Sequence, residues 1–319
     1  MRILVSGSTG FIGRKLVQRL LDDGHDVIVL LREDSADADP RVDVLRVPRD
    51  LSTLKRRDDW PARVDAVVHL GGLNPERGDP AMDDSLALMR ANAEGTAALA
   101  RISAGKGARR LIFASSANIH SMFDGKPIIE DDKPAPVDFY AASKLEAERR
   151  LRAELEDSST EFTILRLPAV YGPGGRGAIS MLERLAKSRM PLPFRSATNR
   201  RSVLALDNAV DAFVSCLTHP GAAGRTFLVA DRDPVTLAEL VAPVRAARGR
   251  GPGMFSMPVA LLKLMARMIG RGATADRLFS TFVIDTSRIR SRIGWRPRLS
   301  TAEALMQYNK PGASNNERS

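Results

Sequence analysis

The chain has 319 residues, 48 Lys and Arg against 38 Asp and Glu, a formal net charge of +10, and 44% hydrophobic content. That content fits a globular chain with a sizeable core, either one large α/β domain with an appended lobe or two ordinary domains. The lone Cys216 excludes an internal disulfide and fits a reducing cytoplasm, and four dispersed histidines with one cysteine exclude a zinc site, so no metal is expected.

In chain order, Ile3 to Val5 is a short apolar run that predicts a strand. A strand starting so early leaves no room for a signal peptide, and a cytoplasmic location is expected. Gly7, Gly10 and Gly13 follow at a spacing of three. Arg14 to Asp23 then has a helical pattern, with Leu16, Val17, Leu20 and Leu21 on its apolar face and Gly24 as its stop. Val27 to Leu31 is a second buried-strand pattern. Strand, glycine turn, helix and strand within about thirty residues is the context that makes a glycine pattern a dinucleotide-binding hypothesis. Without Cβ atoms the backbone can approach a pyrophosphate, whose charge the helix N-terminus stabilises. At the end of the second strand Arg32 is placed to meet a 2′-phosphate, which favours NADP(H). Glu33, next in the chain, is placed to take a ribose hydroxyl instead, which leaves NAD(H) as the alternative.

Further strands are predicted at Val42 to Val47, at Leu111 to Ala117 and at Phe162 to Leu167. Tyr140 to Leu155 is rich in Ala, Leu, Glu, Lys and Arg and reads as a helix. Its Tyr140 and Lys144, one turn apart on one face, set a phenol beside an ammonium. A neighbouring positive charge lowers a phenol pKa, which suits Tyr140 to proton exchange with a substrate oxygen. Pro168 to Pro173 is dense in turn residues, and Met181 to Arg189 is a short amphipathic helix.

These residues together resemble the extended short-chain dehydrogenases, specifically their nucleotide-sugar epimerase, dehydratase and reductase branch. The resemblance runs from residue 1 to about 300 and rests on the two-residue gap between Gly7 and Gly10, on Asp50-Leu51, Val67 to Gly72, Asn92 to Thr96, the Ser115-Ser116 strand end, Tyr140 and Lys144, and Pro168 to Pro173. It implies a doubly wound parallel sheet with helices on both faces and a smaller C-terminal substrate lobe. Residues 1–168 would form the nucleotide domain, with its sheet completed by about 203–230. Residues 169–202 and 231–305 would form the lobe, and 306–319 a flexible tail. It also implies that Gly7, Thr9, Gly10, Phe11, Ile12, Gly13, Arg32, Asp50, Leu51, Leu70, Gly71, Gly72, Asn92, Tyr140, Lys144 and Pro168 line the cofactor site.

By the same resemblance Ser116 is the active-site hydroxyl, polarising a substrate carbonyl, and Ser115 is its neighbour. Tyr140 supplies or removes the proton, while Lys144 holds the nicotinamide ribose. Arg201 and, further on, Arg277 are candidates for a substrate diphosphate, a task that suits a planar guanidinium. Leu228 and Val229 return the chain to the main sheet, and Asp285 to Gly294 is the family's closing helix. His69 is expected to be structural, His120 a satisfied loop histidine, and the helices carrying Asn92 and Tyr140 a homodimer surface.

The implied activity is NADP(H)-dependent reduction of a nucleotide-linked, UDP-linked 4-keto-(deoxy)sugar in surface polysaccharide synthesis. An NAD-dependent UDP-hexose 4-epimerase is the alternative. The chain departs from the epimerases in having Ile119-His120-Ser121 where they carry Val-Tyr-Gly, and from the dehydratases in having Ala117-Asn118 beside the serine. A non-catalytic nucleotide sensor is the alternative from another class, and the retained Tyr140 and Lys144 argue against it. The basic residues come as scattered pairs such as Arg109-Arg110, with no nucleic-acid motif, so no nucleic acid is expected. Met254 to Ile269 is too short and too charged to cross a membrane and reads as a lid or lobe helix, with attachment to a membrane surface as the alternative. Tyr308 to Ser319, polar and broken by Pro and Gly, is expected to fray.

Overall fold

The first strand, β1 (Arg2–Ser6), is buried along most of its length because it lies inside a sheet covered on both faces, which is why its sequence is a continuous apolar run. A computed structural model of the protein describes residues 1–32, 39–54, 60–75, 79–120, 125–270 and 272–310. Helix α1 (Phe11–Asp22) returns the chain to β2 (Asp26–Arg32) and then β3 (Asp43–Val47). On the other side of β1 comes β4 (Ala66–His69), followed by α2 (Ser85–Leu88), a π-helical turn over Met89–Glu94, and α3 (Gly95–Gly105). Strand β5 (Arg110–Ser116), helix α4 (Phe139–Leu155) and strand β6 (Glu161–Leu167) follow.

Beyond β6 the chain alternates between two bodies. Short strand β7 (Ala169–Tyr171) and helix α5 (Ala178–Lys187) leave the sheet. Strand β8 (Val203–Ala205) pairs with β7, and α6 (Leu206–Thr218) leads to β9 (Arg225–Leu228). Helices α7 (Leu237–Ala246), α8 (Val259–Met268) and α9 (Gly272–Leu278) belong to the outer body. Helix α10 (Ser287–Ile293) packs by β9, and α11 (Thr301–Asn309) closes the described chain.

Among the described residues the main sheet has the order β3-β2-β1-β4-β5-β6-β9, and every pairing in it is parallel. Alternate residues of β1 serve opposite faces. Ile3 and Val5 join Leu16, Leu20 and Phe213 in one core, while Leu4 joins Leu99, Phe113 and Leu151 in the other. The outer body has its own core around Tyr171, Leu182, Phe194 and Leu240. Buried Asp231 ties the parts together, accepting hydrogen bonds from Tyr171 Oη, Ala205 N, Asn208 Nδ2 and Thr301 Oγ1. No helix among the described residues is long and apolar enough to cross a membrane.

Two boundaries differ from expectation. The sheet is completed by β9 alone, because β8 pairs with β7 outside it. Residues 306–309, expected to belong to a flexible tail, are helical, since α11 continues to Asn309. There Tyr308 is half-buried, with its hydroxyl donating to Asp207 Oδ2 at 2.5 Å and accepting from Asp207 N at 3.2 Å. Residues 311–319, with Glu33 and Ser121, lie outside the described residues.

Candidate active site

The crevice between β1 and β4 is the point where sheet order reverses, the usual ligand position in open α/β sheets. Gly7 there has φ +74°, and a Cβ on it would stand 2.7 Å from Gly71 N, so the turn after β1 and the segment after β4 meet backbone to backbone. A Cβ on Gly13 would stand 2.1 Å from Gly7 O. Gly10 caps α1 without a side-chain hydrogen bond, no acid occupies the first turn, and buried Ser8 Oγ has no partner. The first-turn N–H groups and this hydroxyl fit the pyrophosphate of a dinucleotide. Thr9 is exposed on the turn, while Phe11 and Ile12 are half-buried at the helix start.

Arg32 ends β2 with its side chain exposed, in reach of solvent where an adenosine ribose would sit. Asp50 accepts from Ser52 N at 2.9 Å and pairs with Arg90 Nε at 2.6 Å. Leu51 beside it lies under Gly95, whose added Cβ would come within 3.2 Å of Leu51 Cβ. Leu70 and Pro168 sit on the loops after β4 and β6.

Asn92, fully buried in the π-helical turn, clamps the loop after β4. Its Oδ1 accepts from Leu73 N at 2.7 Å, and its Nδ2 donates to Leu73 O at 3.0 Å and to Ser143 Oγ at 2.9 Å. His69 is held neutral, its pKa pushed down to about 3 by burial and then by the Lys144 charge. Thr96 Oγ1 donates to Asn92 O, so it accepts from His69 Nε2–H at 2.9 Å. Ser6 Oγ accepts from Gly71 N, so it donates to His69 Nδ1 at 2.5 Å. His69 is a strut for the loop, with no proton to spare.

Tyr140 lies in the first turn of α4, half-buried, with Lys144 one turn further along the helix. Lys144 is only 6% exposed. Its Nζ donates to Ala114 O at 2.8 Å, stands 4.6 Å over the Phe113 ring, and would be 3.7 Å from a Cβ on Gly72. Burial pushes the ammonium down to about 8, with Glu148 pulling the other way. Ser116, at the end of β5, accepts from Asn118 N at 3.2 Å, which leaves its own proton to donate to a substrate oxygen.

Behind this face lies a buried polar network that the sequence reading missed. Ser115 Oγ donates to Glu148 Oε1 at 2.6 Å, and Arg166 grips both oxygens of Glu148 at 3.0 and 2.8 Å. Arg166 Nη1 also donates to His120 Nε2 at 3.1 Å and Glu130 O at 3.0 Å. His120 therefore carries its proton on Nδ1, which is buried without a partner, so the expected satisfied loop histidine is only half satisfied. Burial, then Arg166, lowers its pKa to about 4. The available signal was Glu148 itself, one further turn along the Tyr140–Lys144 face.

Arg201 and Arg277 do come together. Arg201 Nη1 donates to Arg277 O at 3.0 Å, and Arg277 Nη2 donates to Asp138 Oδ2 at 3.0 Å. Asp138 also caps α4 by accepting from Ala141 N at 2.7 Å, so Arg277 borders the helix end that carries Tyr140, and Arg201 is tied to it through the Arg277 carbonyl. Among the described residues no cluster of His, Cys, Asp or Glu forms a metal site.

The sequence profile of the NAD dependent epimerase/dehydratase family matches residues 3–230. The chain belongs to this family. This extended short-chain dehydrogenase is thus an NAD(P)-dependent enzyme. It is 33% identical to a UDP-glucose 4-epimerase of Vibrio cholerae over 96% of both chains. It is 31% identical to a 3-diazoavenalumate denitrifying reductase of a Streptomyces species, over 93% of this chain and 96% of that one. The solved structure of MoeE5 in complex with UDP-glucose and NAD superposes with a TM-score of 0.74, covering 97% of each chain at 24% identity, a likeness of fold.

Proposed function

We propose that this enzyme is a UDP-hexose 4-epimerase that works through transient oxidation at the sugar C4. The observation that supports this reading most directly is the match with the Vibrio cholerae UDP-glucose 4-epimerase, which extends over 96% of both chains. When bound, the nicotinamide cofactor takes up and returns the hydride. Tyr140 accepts the C4 hydroxyl proton and gives it back, and Lys144 one turn along α4 holds the nicotinamide ribose. Ser116 donates to the same oxygen as it becomes a carbonyl. Arg201 and Arg277 take the substrate diphosphate, and a homodimer through α3 and α4 completes the assembly. The test is UDP-glucose alone with purified protein, followed by NMR. UDP-galactose formed without added cofactor supports the epimerase, and none formed with NAD supplied overturns it.

A second reading, reduction of a nucleotide-linked 4-keto-sugar with NADPH, is favoured by Arg32 at the end of β2 and by His120 in place of the tyrosine of Val-Tyr-Gly. Consumption of NADPH dependent on such a keto-sugar, weakened in Arg32→Ala, is its signature.

A further inference from the structure

The net charge of +10 is not spread over the chain. Residues 184–206 and 240–275 hold twelve of the 48 basic residues and none of the 38 acidic ones, so the remainder carries 36 against 38 and is nearly balanced. The structure zips these two one-sign segments together. Phe255 N donates to Leu192 O at 3.0 Å, Arg195 N to Phe255 O at 3.2 Å, and Arg250 Nη1 to Lys187 O at 2.8 Å. Arg245 is spent inside the lobe on main-chain carbonyls, and Lys263 and Arg267 share Asp276, the first acid after the run. Arg184, Arg189, Arg195 and Arg248 are exposed, and no ion pair among the described residues joins them to an acid.

The same region has an apolar surface. Helix α8 has no buried residue, and Leu261, Leu264, Met265, Met268 and Ile269 recur on it at helical spacing, with Met268 79% and Ile269 71% exposed. Phe255, 40% exposed, precedes the helix. This exposed apolar stripe, entered through Phe255 beside Arg195, marks a docking face. A second copy of this chain would bring cations against cations. An anionic lipid surface satisfies both features, because acyl chains take the apolar stripe and headgroups the arginines.

We propose that this face of the lobe docks on an anionic membrane surface, with α8 lying in the plane of the interface. The test is flotation of the full chain with phosphatidylcholine vesicles and with vesicles of mixed phosphatidylglycerol and phosphatidylcholine. The protein is expected to float with the mixed vesicles, not with phosphatidylcholine alone, and less as salt rises. The double variant Leu264→Glu/Met268→Glu removes two anchors and is expected to weaken partitioning roughly a hundredfold. Both positions are exposed, so NADH fluorescence and melting temperature stay at wild-type values and separate lost docking from lost folding. No flotation with the mixed vesicles, or equal flotation of wild type and variant, overturns the proposal. So does a concentration-dependent dimer that the variant abolishes in the absence of lipid binding.

Discussion

Glu148 and Arg166 form an ion pair whose side chains are 2% and 7% exposed, against the strand end that carries Ser115 and Ser116. Glu148→Gln keeps the shape and an acceptor oxygen but leaves the Arg166 charge buried without its counter-ion. Removing one partner of a buried pair costs about 3–5 kcal/mol. For 319 residues the unfolding entropy is roughly 0.7 kcal/mol/K, so the melting temperature should fall by roughly 4–7 °C. Thermal denaturation of wild type, Glu148→Gln, Arg166→Met and the double variant gives the coupling. The double variant should recover part of the loss, since no unpaired charge remains. The Glu148 charge also holds Lys144 up, so the alkaline fall of the pH–rate profile should move to lower pH in Glu148→Gln. A shift of melting temperature under about 1 °C with no recovery in the double variant would mean that the pair is not energetically coupled.

Activity that needs the Lys144 ammonium should fall as pH rises through about 8. The folded value lies below the ordinary 10.5, so the unfolded chain holds this proton more tightly, and wild type should gain stability over Lys144→Met between about 8 and 10.5. Melting curves across that window check the sign. Gly13→Ala puts a methyl 2.1 Å from Gly7 O, and NADH binding by fluorescence should be lost as the turn gives way. Asp138→Asn retains a capping oxygen for α4 and releases Arg277 from its ion pair, so KM for UDP-glucose should fall with kcat little changed; an unchanged KM would show that Arg277 does not meet the diphosphate.

What could be read from the sequence was local. Gly7, Gly10 and Gly13 between a strand and a helix, and Tyr140 and Lys144 one turn apart, are set by backbone periodicity. The structure places them where that periodicity requires. Arg166 was hidden because it sits in the apolar run of β6, where an arginine reads as a solvent-facing exception; only the parallel register with Ser115 brings it to Glu148. Tyr308 was hidden by the Pro-Gly composition just after it, since its anchor Asp207 is a hundred-odd residues away in the chain. Helix α8 was visible as an apolar stretch, but its lack of burial belongs to tertiary packing, which periodicity does not report.

In the proposed reaction Tyr140 moves the proton at the sugar oxygen. The most direct measurement is UDP-glucose turnover by Tyr140→Phe, compared with wild type at equal cofactor occupancy. Turnover should fall about a hundredfold or more with cofactor binding retained. Turnover at the wild-type rate would contradict that role.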